Sequence, residues 1–256
     1  MDLDSLFSLD SRAALVTGGS RGIGRMIAEG FVRSGVRVYI TARKAEACDA
    51  TAAELSELGH CVSLPADVSS LAGVAQLVEA YRKHEQTLDI LVNNAGAAWG
   101  APLTQFPESG WDKVANINLK TPFFLTQALL PELTSATGDH LAKVINIASI
   151  DGISLNADES YSYHATKAGL LHLTRRMALR LIQDDIVVSA IAPGAFASDM
   201  NRRARDHADE LMGLIPARRI GTSDDMAAAA IYLASRAGDY LVGATLVVDG
   251  GASDGR

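Results

Sequence analysis

The apolar run "AALVTG" (13–18) passes without a break into "GSRGIGRMIAEGF". A short apolar run, a glycine-rich turn and an amphipathic helix in direct succession leave few folds open. Gly18, Gly22 and Gly24 are spaced G-x-x-x-G-x-G. Glycine there permits positive φ and lets backbone N–H groups come close to a ligand. The helix N-terminus favours negative charge at that point. A lone glycine cluster is an ordinary turn. Set between strand and helix, it points to the pyrophosphate of a dinucleotide.

The rhythm repeats along the chain. Apolar, β-branched runs follow at 36–42, 61–66, 88–95, 143–149, 186–193 and 244–250, without strict alternation. Such runs suit strands buried on both faces. Helical patterns separate them, as in "SSLAGVAQLVEAYRKHE". Strand, helix, strand in this order implies right-handed crossovers and a doubly wound, mostly parallel seven-stranded sheet with helices on both faces. No linker or repeat divides it, so residues 1–256 read as a single α/β domain. Of its residues 48% are hydrophobic, enough for a sizeable core. The formal net charge of −7 argues against a general nucleic-acid binder. Two cysteines make no disulfide framework. The start, "MDLDSLFSLD", lacks the features of a signal peptide, and no apolar run has the ~18 residues of a membrane span. The expected location is the cytoplasm.

The end of the second strand speaks to the choice of dinucleotide. An NAD site places an acid there for the ribose 2′-OH. This chain has Thr41, Ala42 and Arg43, and Arg21 lies in the glycine turn. Two guanidinium groups suit a 2′-phosphate, so NADP(H) is expected over NAD(H). The plainer alternative is two solvated arginines.

In "ESYSYHATKAG" (159–169), Tyr163 and Lys167 are i and i+4 and share a helix face, whereas Tyr161 is six from the lysine and points away. A free phenol titrates near 10, and a neighbouring ammonium favours the phenolate. Alone the pair is weak evidence. Its neighbours strengthen it, because Ser149 ends one strand and Asn93, Asn94, Ala95 and Gly96 end another. Asn118 interrupts an apolar helical stretch, and Pro193–Gly194 break the chain after the sixth strand. Each signal is an ordinary cap or turn by itself. No clustered Cys, His and acid pattern suggests a metal.

From "TGGSRGIG" through "NNAG" and "YHATK" to "DGG", the chain resembles the short-chain dehydrogenase/reductases, a Rossmann-type α/β family. The resemblance implies a catalytic tetrad of Asn118, Ser149, Tyr163 and Lys167. Tyr163 would be the general acid–base. Lys167 would lower its pKa and bind the nicotinamide ribose, and Ser149 would bond the substrate oxygen. Asn118 would hold a relay water. It implies cofactor contacts from Gly18, Ser20, Arg21, Gly22, Ile23 and Gly24, with Arg43 at the second strand. Asp67 would read the adenine amino group beside Val68. Asn93 would line the adenosine side and support the central strand, next to Asn94, Ala95 and Gly96. Pro193, Gly194, Phe196 and Ser198 would approach the nicotinamide and phosphates. Residues 198–215 would form a substrate lid.

Within the family the C-terminal "IPARRIGTSDDMAAAAIYLAS" is most similar to the 3-ketoacyl reductases. That implies NADPH-dependent reduction of a 3-ketoacyl thioester, carried by acyl carrier protein or CoA, in a homotetramer. The enzyme alternative is another carbonyl, such as a sugar, steroid or quinone-like ketone. A dinucleotide-sensing regulator would have lost Tyr163, Lys167 or Ser149. Two departures stand out. The loop before Tyr163 is acid-rich (Asp151, Asp158, Glu159), and "LIQDDIVV" places Gln183, Asp184 and Asp185 where the fatty-acid-synthesis enzymes carry basic residues for their acidic carrier. Like charges there disfavour that carrier. The basic cluster "MNRRARDHADE" (200–210) offers a thioester phosphate an alternative contact, or is a solvated face.

Overall fold

The computed structural model describes residues 2–136 and 140–254, with the backbone alone for Arg202 and Arg203. All seven expected runs are strands: β1 (Ala13–Thr17), β2 (Arg37–Thr41), β3 (Cys61–Ser63), β4 (Ile90–Asn93), β5 (Ala142–Ile147), β6 (Ile186–Pro193) and β7 (Thr245–Val248). They form one parallel sheet in the order β3-β2-β1-β4-β5-β6-β7. Every residue of β1, β4, β5 and β6 is buried, which explains the unbroken apolar runs.

Two core clusters flank the sheet. Ile27, Phe31, Met226 and Leu233 come from the helices Gly22–Arg33 and Ser223–Ala234 on one face. Leu77, Tyr81, Leu125 and Met177 come from Leu71–Arg82, Thr121–Ala128 and Tyr161–Leu181 on the other. The first two helices touch at Gly30, where a Cβ would lie 2.6 Å from Ala227 Cβ. Among the described residues no helix is long and apolar enough to cross a membrane.

The strand order places the site. The chain runs outward from β1 to β3, then returns to lay β4 on the other side of β1. The connections leave β1 and β4 in opposite directions, opening a crevice at their carboxyl ends. Thr17, Asn94 and Ala95 stand at that point. The Thr17 hydroxyl donates to Val92 O at 3.2 Å and accepts from the N–H groups of Asn94 and Ala95, each at 2.9 Å. Asn94 Nδ2 donates to Thr17 O at 2.8 Å. The stretch 194–222, between β6 and the Ser223–Ala234 helix, carries two short helices, Arg202–Asp206 and Ala208–Met212.

Candidate active site

Gly18 and Gly22 take φ of +66° and +53°, so the turn needs the conformational freedom of glycine. At Gly24 the demand is space. A Cβ there would stand 2.3 Å from Gly18 O and 2.4 Å from Asn94 Nδ2. Arg21 is the N-cap of the Gly22–Arg33 helix in extended backbone, and its side chain makes no cap bond. The first-turn N–H groups, Ile23 among them, are therefore left for an anion. Ser20 fixes the turn from outside, its carbonyl accepting from Thr51 Oγ1 at 2.9 Å. This backbone cradle fits a pyrophosphate.

Around it stand the residues expected on the adenosine side. Arg43 is exposed beyond β2. Its charge is one of the influences that hold the Asp67 carboxyl below its usual range, behind the larger hydrogen bond from Ser69. Val68 is buried and its carbonyl accepts from Thr121 Oγ1 at 2.6 Å, pinning the Asp67 turn to a helix. Arg21 does not stand free beside Arg43, since its Nη1 donates to Asp199 Oδ2 at 2.6 Å. Asn93 is 3% exposed, and its Nδ2 donates to Asn146 Oδ1 (2.9 Å) and Thr126 Oγ1 (3.3 Å). Its side chain ties β4 to β5 from within the sheet layer and supports the central strand. Asn94, just past the strand, turns instead to Thr17 O and Gly18 O.

Ser149 follows β5 and caps a short helical turn, Ile150–Gly152, its Oγ accepting from Asp151 N at 3.1 Å. Tyr163 and Lys167 stand one turn apart on the Tyr161–Leu181 helix. Lys167 is buried, its Nζ donating to Ile147 O at 2.6 Å and lying 5.5 Å from the Tyr163 ring centroid. Burial lowers the Lys167 ammonium to about 8, against the upward pull of Asp151. Burial pushes Tyr163 up to about 12, with Ser149 pulling down and Asp151 adding to the rise.

Asn118 lies in a π-helical turn, Asn116–Lys120, rather than regular helix. The extra residue in the turn swings its side chain inward. Its Oδ1 accepts from Ala97 N and its Nδ2 donates to Ala97 O, both at 2.9 Å, with Thr166 Oγ1 at 3.3 Å. Gly96 packs against it, a Cβ there falling 3.1 Å from Asn118 Oδ1. The amide thus joins the β4 loop to the tyrosine helix.

After β6, Gly194 N donates to Val248 O at 3.0 Å, and a Cβ on Gly194 would be 2.6 Å from Asp249 Cβ. Pro193 ends the strand. Ser198 Oγ accepts from Asn201 N at 3.0 Å. Phe196 is 2% exposed and packed on Gly221, where a Cβ would reach its ring at 2.3 Å. The ring belongs to the core, which leaves the main chain of this residue to face the crevice. Of the basic cluster at 200–210, the side chains of Arg202 and Arg203 lie outside the described residues, and Arg205 is paired with Asp199 and Asp206.

Two residues carry more than the sequence reading gave them. Asp151 acts on both Tyr163 and Lys167, and Asn156 Nδ2 holds its Oδ1 at 2.8 Å. Glu159 accepts from Tyr161 OH (2.9 Å) and Leu103 N (3.2 Å), clamping the β4 loop to the start of the Tyr161–Leu181 helix. A cavity of about 410 Å³ opens between 98–102 and 158–160. A cavity of about 500 Å³ lies around Arg12, Arg37 and Asp89, at the amino ends of the strands, remote from these residues.

Residues 18–253 match the family model described as Enoyl-(Acyl carrier protein) reductase. The chain is 48% identical over 249 residues to the rhamnolipids biosynthesis 3-oxoacyl-[acyl-carrier-protein] reductase of Pseudomonas aeruginosa, covering 96% of this chain and 97% of that one. It is 36% identical to the 2-dehydro-3-deoxy-D-gluconate 5-dehydrogenase of Dickeya dadantii, with 96% of each chain covered. The fold superposes on the Pseudomonas aeruginosa RhlG/NADP active-site complex with a TM-score of 0.93 at 47% identity, over 97% of this chain and 99% of that one.

Proposed function

This chain belongs to the short-chain dehydrogenase/reductase family, and on that premise we propose that it reduces the 3-keto group of a 3-ketoacyl thioester to the 3-hydroxyacyl product. It is an NADP-dependent oxidoreductase of that family. The reading is carried by the meeting of Ser149, Tyr163 and Lys167 with the glycine cradle at one sheet edge. Bound NADPH supplies the hydride. The Tyr163 phenol donates its proton to the keto oxygen, and Ser149 Oγ donates a hydrogen bond to the same atom. A phenol standing at about 12 holds its proton at neutral pH, which is the form that reduction needs. Lys167 Nζ returns the proton with a water on Asn118, and that amide also fixes the loop facing the tyrosine.

Substrate class follows from the walls. Leu103, whose N–H meets Glu159, Ile153, in the turn after Ser149, and Leu214, next to the Ile215 that packs on Ile150, are 68%, 51% and 68% exposed. An acyl chain would cover such side chains, whereas a polyhydroxylated sugar acid would leave them wet. The second reading, a keto-sugar acid, is favoured by the 36% identity to the gluconate-type dehydrogenase. At the end of the tyrosine helix Asp184 is paired with Arg180 and Asp185 follows, a surface that does not attract an acidic carrier protein. The deciding experiment follows NADPH oxidation with 3-ketoacyl-CoA and 3-ketoacyl-carrier-protein substrates of several lengths beside 5-keto-gluconate. Preference for the gluconate removes the acyl reading. Sheet-edge strand β7, with Val247 41% exposed, is proposed to pair in a cytoplasmic homotetramer. Light scattering tests this, and a stable monomer would oppose it.

A further inference from the structure

The glycine turn and the segment after β6 are joined by one carboxylate. Arg21 Nη1 donates to Asp199 Oδ2 at 2.6 Å, and Arg205 Nη1 donates to Asp199 Oδ1 at 2.6 Å. One residue earlier, Ser198 packs on the same turn, since a Cβ on Gly22 would stand 3.1 Å from Ser198 Cβ. Arg205 has a second partner in Asp206, at 2.8 and 2.9 Å, so it does not depend on Asp199. The Arg21 guanidinium has only Asp199 among its described hydrogen bonds. Asp199 therefore places a single negative charge on the guanidinium that the NADP(H) reading gives to the cofactor's 2′-phosphate. The two anions compete. A phosphate carries more charge and more acceptor oxygens than a carboxylate, and it forms the stronger charge-assisted bonds to a guanidinium. An anion weaker than that does not dislodge Asp199.

We propose that Asp199 is a selectivity-determining residue: it holds Arg21 in reserve, and binding of NADP(H) exchanges the Asp199–Arg21 pair for a phosphate–Arg21 pair. NAD(H), which lacks the phosphate, leaves the pair intact and gains nothing from Arg21. After the exchange Asp199 keeps Arg205. The inference rests on the assignment of Arg21 to the 2′-phosphate. Arg21 first, and then Arg205, hold the Asp199 carboxyl below its usual range, so the competitor stays ionised at working pH. Both partners are exposed, so the exchange has a moderate size rather than an absolute one.

The test is a fluorescence titration of NADPH and of NADH on the whole protein and three variants. Asp199→Asn, which keeps the shape and removes the charge, is expected to bind NADPH about two- to fivefold tighter with NADH unchanged. Arg205→Met leaves Asp199 wholly to Arg21 and is expected to weaken NADPH by a similar factor, again without moving NADH. Asp199→Glu restores the parent behaviour. Arg21→Met separates the two layers of the argument. If it leaves NADPH affinity untouched, the 2′-phosphate assignment of Arg21 falls. If it weakens NADPH while Asp199→Asn leaves the NADPH-to-NADH ratio unchanged or lower, the exchange is overturned. A loosened segment alone would move both cofactors together, and that outcome also overturns it.

Discussion

Thr17 and Asp199 hold neighbouring parts of one crevice by opposite means. Thr17 is 1% exposed, and its hydroxyl serves three main-chain groups of the β4 end. Asp199 is about half exposed and holds two arginines that are themselves in solvent. A buried donor or acceptor left unpaired costs about 1–3 kcal/mol, whereas an exposed ion pair contributes about 0–1 kcal/mol. The dinucleotide edge is thus fixed by groups that have no alternative partner. The segment after β6 buries Ala204 and packs Ile215 on Ile150, while its charged side chains are held by surface pairs. Shared chemistry sits on the first, and selectivity can vary on the second without disturbing the fold.

The contrast breaks most sharply at Gly24. Gly24→Ala drives a methyl into Gly18 O and Asn94 at 2.3 and 2.4 Å, and the first of these is backbone that cannot step aside. The expected outcome is loss of NADPH binding and about 3 kcal/mol of destabilisation in urea unfolding. Tyr163→Phe comes next. It keeps the ring and removes the proton, so turnover should fall about 10²- to 10⁴-fold while NADPH still titrates normally. Unaltered turnover would remove Tyr163 from the chemistry.

The two regions also differ in how far the sequence revealed them. The strands were legible because burial on both faces leaves nothing but apolar residues, and the tyrosine–lysine face followed from helical spacing alone. The glycine turn was legible because its demands are local. What escaped depended on partners far along the chain. Arg21 meets Asp199 across 178 positions, and no pattern in the glycine turn announces a carboxylate there. Nor does anything near Phe196 announce that Gly221, 25 residues on, makes room for its ring in the core. Asn93 and Asn94 are adjacent and chemically identical, and only the fold decides that one bonds Asn146 and the other Thr17. The π-turn at Asn118 read as plain helix because its composition is helical. The sign of the Tyr163 shift needed the depth of burial, which a sequence does not carry.

Between the fixed edge and the adjustable segment lies Asp151, and a pH profile sharpens its place. Lys167 stands at about 8, so proton return should fail as pH rises past that value, while Tyr163 at about 12 stays protonated. NADPH-dependent kcat is expected to fall about tenfold per unit above that point, and Lys167→Met should erase this limb at a much lower rate. Asp151 raises both groups, so Asp151→Asn should move the limb to lower pH. A limb that stays in place would deny Asp151 any action on the relay. Stability follows the same sign. Below about 8 the folded state carries a buried ammonium, and this cost is relieved as pH rises from about 8 toward the ordinary lysine value of 10.5. Urea midpoints of the parent should therefore gain on those of Lys167→Met across that window.

The smallest expected effect lies in the adjustable segment. Leu214 is 68% exposed, so Leu214→Ser should leave unfolding free energy within about 0.5 kcal/mol of the parent. If an acyl chain lies against it, the cost appears only with substrate bound, and only for chains long enough to reach it. Burying a leucine side chain is worth about 1.5–3 kcal/mol when complete. Partial cover at a rim should give less, about a three- to tenfold rise in KM for a long 3-ketoacyl thioester with kcat held. A short thioester and 5-keto-gluconate serve as internal controls, because neither reaches the rim. A rise in KM that is equal for all three would mean that the segment responds to the cofactor or to the fold rather than to the chain. Leu214 would then belong with the fixed edge, and the division drawn between the two regions would have to move past residue 214.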